Sequence, residues 1–484
     1  MNQATFSLAT MAPALPEIAL LTLACALLIV DLFVKDEEKH VTYWLAIATL
    51  GGTAILTAVT LGQPAIVTFQ GMFVADMMSQ VLKIGTLLAV AATLVLGRTY
   101  LEIRGLLKGE FLTLALFATL GMMVMISAHH FITLFLGLEL LALAQYSMVA
   151  LQRDSARATE AAMKYFVLGA LSSGLLLYGM SMIYGATGSL ELTRVALAIE
   201  HGNARNIFAV FGLVFVVAGV AFKLGVAPFH MWIPDVYEGA ATPTTLFVGA
   251  APKLAAFAFI MRLLASGLAG MTADWAQMLV VLAIASMALG NIVAIAQGNL
   301  KRMLAYSTIS HMGFLVLGLV AGNDNGYSSA LFYVIAYVLM TLGSFGMMLM
   351  LSRAGFEAEN LEDFKGLNQK SKWYAFVMMV LMFSLAGLPP TVGFFAKLSV
   401  LQAVLEAGYT WLVVLAVMLS VVGAFYYLRI VKLMYMDPPA GEITLDARAD
   451  ARWVVSATGV ATLILGIVPA PLLDLCARAI TASM

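Results

Sequence analysis

The sequence predicts an all-α, polytopic membrane protein in which the principal elements are helices crossing a bilayer, and three observations carry that prediction. Of the 484 residues, 62% are hydrophobic and 11% charged, with a mean hydropathy of +0.96. That leaves too little polar surface to solvate a globular fold of this length. Apolar runs of ~20 residues, the length a helix needs to cross a hydrocarbon core, recur from near residue 17 to near residue 475. The runs show no period-two alternation, which argues against a transmembrane barrel. The whole chain, 1–484, therefore reads as a single membrane domain.

Fourteen spans are expected, over 17–34, 41–62, 74–96, 111–128, 131–151, 164–186, 206–227, 242–264, 275–297, 302–321, 327–351, 373–405, 410–434 and 453–475. An even number places both termini on one side. Charge tests this independently of hydropathy, because Lys and Arg accumulate in cytoplasmic loops. Of the 26 basic residues, eighteen fall in or beside loops that follow odd-numbered spans. Only Arg194, Arg205, Arg262 and Arg478 fall on the opposite side, and Lys83, Lys223, Lys253 and Lys397 sit inside spans. The asymmetry predicts that odd-numbered spans exit to the cytoplasm and that both termini lie outside. The first segment, MNQATFSLATMAPALPE, has no basic residue. It lacks the n-region of a cleaved signal peptide, so the first span is expected to be retained.

Three connections have a character of their own. Residues 187–205 mix Leu, Val and Ile with Glu and Arg, as in a short helix lying in the outer interface. In 355–372, Leu361, Phe364 and Leu367 recur at three-residue spacing among charges, which predicts an amphipathic turn packed on the bundle. Residues 437–452 read as a polar loop.

The twelfth span is too long for one straight helix. Pro389 and Pro390 interrupt it, removing two backbone donors and disfavouring helix in the residue before them. Such breaks survive at membrane depth where protein or a water-filled cavity satisfies the freed carbonyls, and they mark transport sites. The frame G-x-x-x-K-L occurs twice, at Gly219 to Leu224 and at Gly393 to Leu398, so the lysines Lys223 and Lys397 lie five spans apart. Two repeats of five spans would be inverted, because the number per repeat is odd. On this frame a second break is expected near Val216 to Gly219.

The candidate chemistry lies in ionisable residues within spans. Glu139, about eight residues into span five, must pair with a cation or take up a proton. It reads as a proton site, with a static ion pair as the alternative. Lys223, Lys253 and Lys397 would repel a metal cation and suit proton transfer, each burial being unfavourable by roughly 2.5 to 3.5 kcal/mol on the mildest insertion scale. The alternative for a lysine is snorkelling to the interface, which fits Lys223 and Lys253 poorly because apolar sequence flanks both. A carboxylate close to an ammonium favours its charged form, so motion of Glu139 relative to Lys223 would switch the lysine between holding and releasing a proton. Lys83, seven residues after Asp76, reads as structural, on a face shared with that residue, which itself reads as a solvated cap. His311, in LAYSTISHMGF, is either a proton carrier or a hydrogen-bonded packing residue. Lys301 and Tyr306 in the adjoining sequence are supporting candidates.

The net charge of -1 and the absence of a basic arm offer nothing to nucleic acid. Cys25 and Cys476 stand alone in apolar runs and read as buried small hydrophobes rather than metal ligands. There is no phosphate loop and no dinucleotide fingerprint. Uphill proton movement would therefore draw on another gradient or another subunit.

The strings FKLGVAPFHMWIPDVYEGAATP (222–243), NLKRMLAYSTISHMGFLVLG (299–318) and FSLAGLPPTVGFFAKL (383–398) resemble the antiporter-like membrane subunits of respiratory complex I, the NADH-quinone oxidoreductase of bacteria, and their cation/proton antiporter relatives. Two features sort the chain within the family: Lys397 stands where one sister subunit carries glutamate, and the chain ends at 484 without the long lateral helix of another. The resemblance implies N-terminal helices 1–3 over 1–110 and two inverted five-helix repeats, helices 4–8 over 111–268 and helices 9–13 over 269–436. Residues 437–484 supply a polar loop and helix 14, and helices 7 and 12 are broken, with Gly219, Pro389 and Pro390 as the expected break residues. It also implies Glu139 paired with Lys223, a central Lys253 and a terminal Lys397 in proton transfer. Its further implications are a bacterial inner (plasma) membrane, neighbouring membrane subunits including another antiporter-like one, membrane lipids, and no cofactor in this chain. NADH, FMN, iron-sulfur clusters and quinone would belong to other subunits. An Mrp-type cation/proton antiporter subunit and a non-conducting membrane scaffold are the alternatives.

Overall fold

A computed structural model describes residues 8–202, 206–439 and 447–484. The first seven residues, Arg205 and the centre of the 437–452 loop lie outside the described residues. The rest is a bundle of long helices: α1 Ala12–Asp31, α2 Lys39–Val59, α3 Met77–Ile103, α4 Gly109–Ile126, α5 Phe131–Val149, α6 Ala156–Thr187, α7 Ile207–Leu224, α8 Thr242–Gly267, α9 Ala269–Ile295, α10 Leu300–Val320 and α11 Asp324–Leu351. The broken α12 consists of Lys372–Ala386 and Val392–Glu406, followed by α13 Thr410–Met436 and α14 Ala449–Ile467. Thirteen of these are long and apolar enough to span a membrane. The two 15-residue halves of α12 are each too short for that, and together they fill the place of the twelfth expected span.

Close helix contact is built with glycine where two backbones meet. A Cβ on Gly121 would lie 2.6 Å from the Leu141 amide nitrogen, and one on Gly137 would lie 2.7 Å from that of Met125. The α4–α5 hairpin thus packs backbone to backbone, the mode favoured in membranes where apolar attraction between helices is absent. Residues α8, α10 and α11 contribute are almost wholly buried, whereas α1, α13 and α14 leave most of their surface outward. The protein core therefore centres on α8, α10 and α11.

Loops that follow odd-numbered helices gather on one face and join in a continuous ion-pair network. Arg157 at the start of α6 bonds Glu238 (2.6 Å) and Glu359 (3.1 Å), Lys164 bonds Asp235 (2.7 Å), and Arg302 bonds Asp235 (3.0 Å) and Glu238 (2.7 Å). On the opposite face, the Arg262 guanidinium grips Asp76 at 2.7 and 2.8 Å. The alternation of faces matches the expected threading. The short helix Leu192–Glu200 buries Leu192, Val195 and Ile199, as an interfacial helix should. Leu361, Phe364 and Leu367 are buried as their spacing predicts.

The structure departs from the sequence reading at five places. Residues Ile66–Thr68 and Phe73–Ala75 pair as an antiparallel hairpin, β1 and β2, a small exception to an all-helical chain. The last span ends at Ile467 rather than 475, because Pro469 and Pro471 start a separate amphipathic helix, Ala470–Thr481. Asp76 is not a solvated cap and does not partner Lys83. It caps α3 by accepting from the Ser79 amide (2.8 Å) while buried against Arg262, and Lys83 pairs instead with Glu17 at 2.5 Å. Cys476 is buried, but Cys25 faces outward from α1.

The fifth departure is the break in α7. No break occurs at Val216 to Gly219: α7 runs unbroken from Ile207 to Leu224, and Gly219 serves close packing, since a Cβ there would lie 2.7 Å from that of Leu176. The interruption comes at Gly225, whose left-handed backbone (φ 79°) ends the helix. In α12 the same device is Gly387 (φ 87°). Each glycine is followed three residues later by proline, as Gly225-Val-Ala-Pro228 and Gly387-Leu-Pro-Pro390. The G-x-x-x-K-L frame does not superpose the breaks, for Lys223 precedes one and Lys397 follows the other.

Gly137→Val should destabilise the fold by about 1–3 kcal/mol through overpacking at the α4–α5 contact. A lowered thermal midpoint in detergent is the expected result, and an unchanged midpoint would contradict the backbone contact.

Candidate functional site

Broken helices leave carbonyls without intrahelical partners, and buried lysines supply the missing donors. The α7 C-terminus offers the Leu224 carbonyl, which accepts from Lys253 Nζ at 2.9 Å. The first half of α12 ends at Ala386, whose carbonyl accepts from Lys397 Nζ at 2.8 Å. The short helix Trp232–Gly239 is capped by Ala240, whose carbonyl accepts from Lys301 Nζ at 2.7 Å. Three lysines thus sit at three helix C-termini, where the partial negative charge of the helix end favours a cation.

Lys253 is 1% exposed and follows an interruption that sequence reasoning missed. Within α8 the helix breaks at Ala250 (φ -107°, ψ -91°), just before Pro252. That proline was the available signal. The Lys253 ammonium also lies 5.6 Å from the centre of the Trp232 ring. Trp232 is fixed by a hydrogen bond from Nε1 to the Phe222 carbonyl (3.0 Å) and by stacking on Tyr165 at 4.6 Å.

Lys223, on the last turn of α7, lines one enclosed cavity with Lys253, Gln145, Tyr165 and Trp232. Its volume of about 20 Å³ has room for one water molecule. Glu139 on α5 lies within electrostatic reach of Lys223 and Tyr146. Among the described residues no ion pair joins Glu139 to Lys223, and Glu139 Oε1 is buried without a hydrogen-bond partner.

A buried set of hydroxyls and one imidazole lies along α10. Tyr337 donates to Thr308 Oγ1 (2.8 Å), and a cavity of about 10 Å³ opens beside Thr308, Ser307 and Tyr337. His311 is 3% exposed and bonds Tyr333 through Nδ1 (2.7 Å) and Tyr427 through Nε2 (3.0 Å). Tyr427 in turn bonds Ser307. Lys397 lies 5.0 Å from the Phe314 ring centre, one turn from His311, and donates to Ser420 (2.8 Å). Ser307, Thr308 and His311 share a helix face, a pattern readable in the sequence. The tyrosines carried no such signal.

The remaining candidates lie apart from this line. Lys301 belongs to the charged face, 3.7 Å from Glu357 and 3.9 Å from Glu359. Tyr306 lies beside the Arg302 guanidinium (6.0 Å to the ring centre), and Lys83 is held by Glu17 and Phe73 near the opposite face. Among the described residues no group of three His, Cys, Asp or Glu side chains converges to hold a metal ion.

Residues 128–423 match the family described as NADH:quinone oxidoreductase/Mrp antiporter, TM. The chain is 60% identical to NADH-quinone oxidoreductase subunit N of Thiobacillus denitrificans, over 99% of each chain. It is 58% identical to subunit N of Nitrosomonas europaea, over 99% of this chain and all of the other. Among solved structures it resembles a chain of respiratory complex I from Thermus thermophilus with bound aureothin, at 32% identity and TM-score 0.83, covering 96% of this chain and 99% of that one. A chain of the Mrp complex from Dietzia sp. DQ12-45-1b shares the fold at 20% identity and TM-score 0.84, over 98% and 97% of the two chains.

The charged face has a pH signature. Burial raises the Glu357 carboxyl, but Lys301 and hydrogen bonds from Thr242 (2.7 Å) and Tyr100 (2.8 Å) outweigh it and hold the group below its ordinary value of 4.5. A carboxyl depressed in the folded state stabilises the fold above its unfolded value, and that contribution is lost as pH falls through the folded one. Thermal stability in detergent should therefore fall on acidification below about pH 4.5. Glu357→Gln should be less stable at neutral pH and lose less on acidification, and an identical pH dependence would contradict the assignment.

Proposed function

The chain belongs to the subunit N family of NADH-quinone oxidoreductase, and from that premise we propose that it moves protons across the membrane along the buried line Glu139, Lys223, Lys253, Lys397. The observation that carries the proposal is the cavity shared by Lys223 and Lys253; the Tyr337–Thr308 pair and the His311 hydrogen bonds supply the groups that would continue the path to Lys397. Quinone reduction in other subunits perturbs the Glu139 end. A carboxylate drawn away from Lys223 favours release of its proton, and one water in the cavity carries that proton to Lys253. The hydroxyls and the imidazole, each able to accept and donate, pass it on to Lys397.

On this reading residues 111–268 and 269–436 are two inverted copies, with Gly225-x-x-Pro228 and Gly387-x-x-Pro390 as equivalent breaks. Residues 1–110 and 437–484 flank them. The chain lies in a bacterial inner membrane beside other membrane subunits of the complex, with the basic, odd-numbered exits in the cytoplasm and both termini outside. It holds no redox centre, and NADH oxidation, flavin, iron-sulfur clusters and quinone belong to other subunits.

Glu139→Ala and Lys223→Ala, in complex reconstituted into vesicles, should assemble normally and lower the protons moved per electron. Removing a positioned proton carrier slows its own step by about 10²-fold or more. Full pumping in either variant would sink the assignment, sodium-dependent proton flux without NADH would favour an Mrp-type antiporter, and undiminished pumping with all four residues changed to alanine would favour a scaffold.

A further inference from the structure

A second site lies far from the charged line, at the odd-exit ends of α1, α4 and α5. There a cleft of about 510 Å³ is lined by Leu28, Glu110, Thr113, Leu114, Phe117, Ser147, Ala150, Leu151 and Arg153, within the roughly 300–1,000 Å³ usual for small-molecule sites. Its polarity is graded along α4. Glu110 stands at the mouth, Thr113 lies ~4.5 Å deeper and Phe117 ~10 Å deeper, at 1.5 Å of rise per residue. Arg153, just past the end of α5, faces the same mouth.

The charges at the mouth mark the cleft as suited to an occupant. Glu110 and Arg153 are both exposed, and among the described residues neither enters an ion pair, although other charges on this face are networked. Thr113 is 4% exposed, lines the cleft, and its buried hydroxyl has no hydrogen-bond partner.

We propose that this cleft binds a zwitterionic phospholipid with a primary ammonium in its headgroup. The Arg153 guanidinium takes the phosphate in its planar fork, and the Glu110 carboxylate takes the ammonium. Thr113 lies at the depth where polar headgroup gives way to hydrocarbon. Leu28, Leu114 and Phe117 flank one acyl chain. An anionic lipid would set its extra negative charge against Glu110, and a neutral quinone ring would leave both charges unmatched. A helix from a neighbouring subunit would have to carry both an anionic and a cationic group at one end.

The test uses the purified assembly that contains the chain, in nanodiscs doped with phosphatidylethanolamine or phosphatidylglycerol bearing a diazirine in the acyl chain. Cross-linked peptides from 110–117 and 147–153 are quantified by mass spectrometry. The ethanolamine lipid should label these segments about five-fold more than the glycerol lipid, the discrimination expected of one exposed charge pair. Glu110→Gln should bring that ratio to about one, Arg153→Gln should lower labelling by both lipids, and Phe117→Trp, which fills the cleft, should abolish it. Equal labelling in the unaltered protein, a ratio unmoved by Glu110→Gln, or no labelling because a neighbouring subunit covers the cleft would each overturn the proposal.

Discussion

The structure depends on one constraint: a backbone carbonyl freed inside a membrane must find a donor. At three helix ends a buried lysine donates to the freed carbonyl. Lys253 answers α7, Lys397 answers the first half of α12, and Lys301 answers the short helix before α8. A lysine so placed gains a hydrogen bond and the field of a helix end, which offsets part of the penalty for burying its charge. The break and the lysine are therefore one device, and the glycines at 225 and 387, both with left-handed backbone, make it sterically accessible.

Lys253 and Lys397 donate to carbonyls, and among the described residues neither forms an ion pair with a carboxylate. Glu139 is likewise without an ion pair among the described residues, its Oε1 unpartnered, and it lies within electrostatic reach of Lys223. The contrast with the rest of the molecule is instructive. Asp76–Arg262 and Lys83–Glu17 are direct buried ion pairs, and such pairs hold helices together because breaking one is unfavourable by roughly 3–5 kcal/mol. Buried charge in this chain is thus of two classes, direct ion pairs and lysines held by helix-end carbonyls.

Much of this was legible in the sequence, for identifiable reasons. A membrane penalises charge heavily, so Glu139 and the three lysines stood out against apolar sequence, and the loop charges separated the two faces. The interfacial helix and the Leu361, Phe364, Leu367 turn followed from periodicity. What escaped was local geometry. The G-x-x-x-K-L echo drew attention to Gly219, which packs against Leu176, while the break fell at Gly225; the informative repeat was Gly-x-x-Pro. Pro252 signalled the interruption before Lys253 but lay in a run apolar enough to read as continuous helix. Tyr333, Tyr337 and Tyr427 converge on His311 and Thr308 from two other helices, α11 and α13, and aromatic residues are too common in apolar helices for sequence spacing to single them out. The cleft at Glu110 and Arg153 depends on three helix ends meeting, which no single segment encodes.

The central claim is that Lys253 releases and regains a proton rather than only bracing the end of α7. Arginine at this position can keep the charge and donate to the Leu224 carbonyl, but it does not deprotonate in proteins. Proton pumping should therefore be measured in vesicles containing Lys253→Arg complex, with quinone reduction followed in parallel. The account predicts an assembled complex whose proton yield per electron falls as far as in Lys253→Ala, and a yield equal to that of the unaltered complex would contradict it.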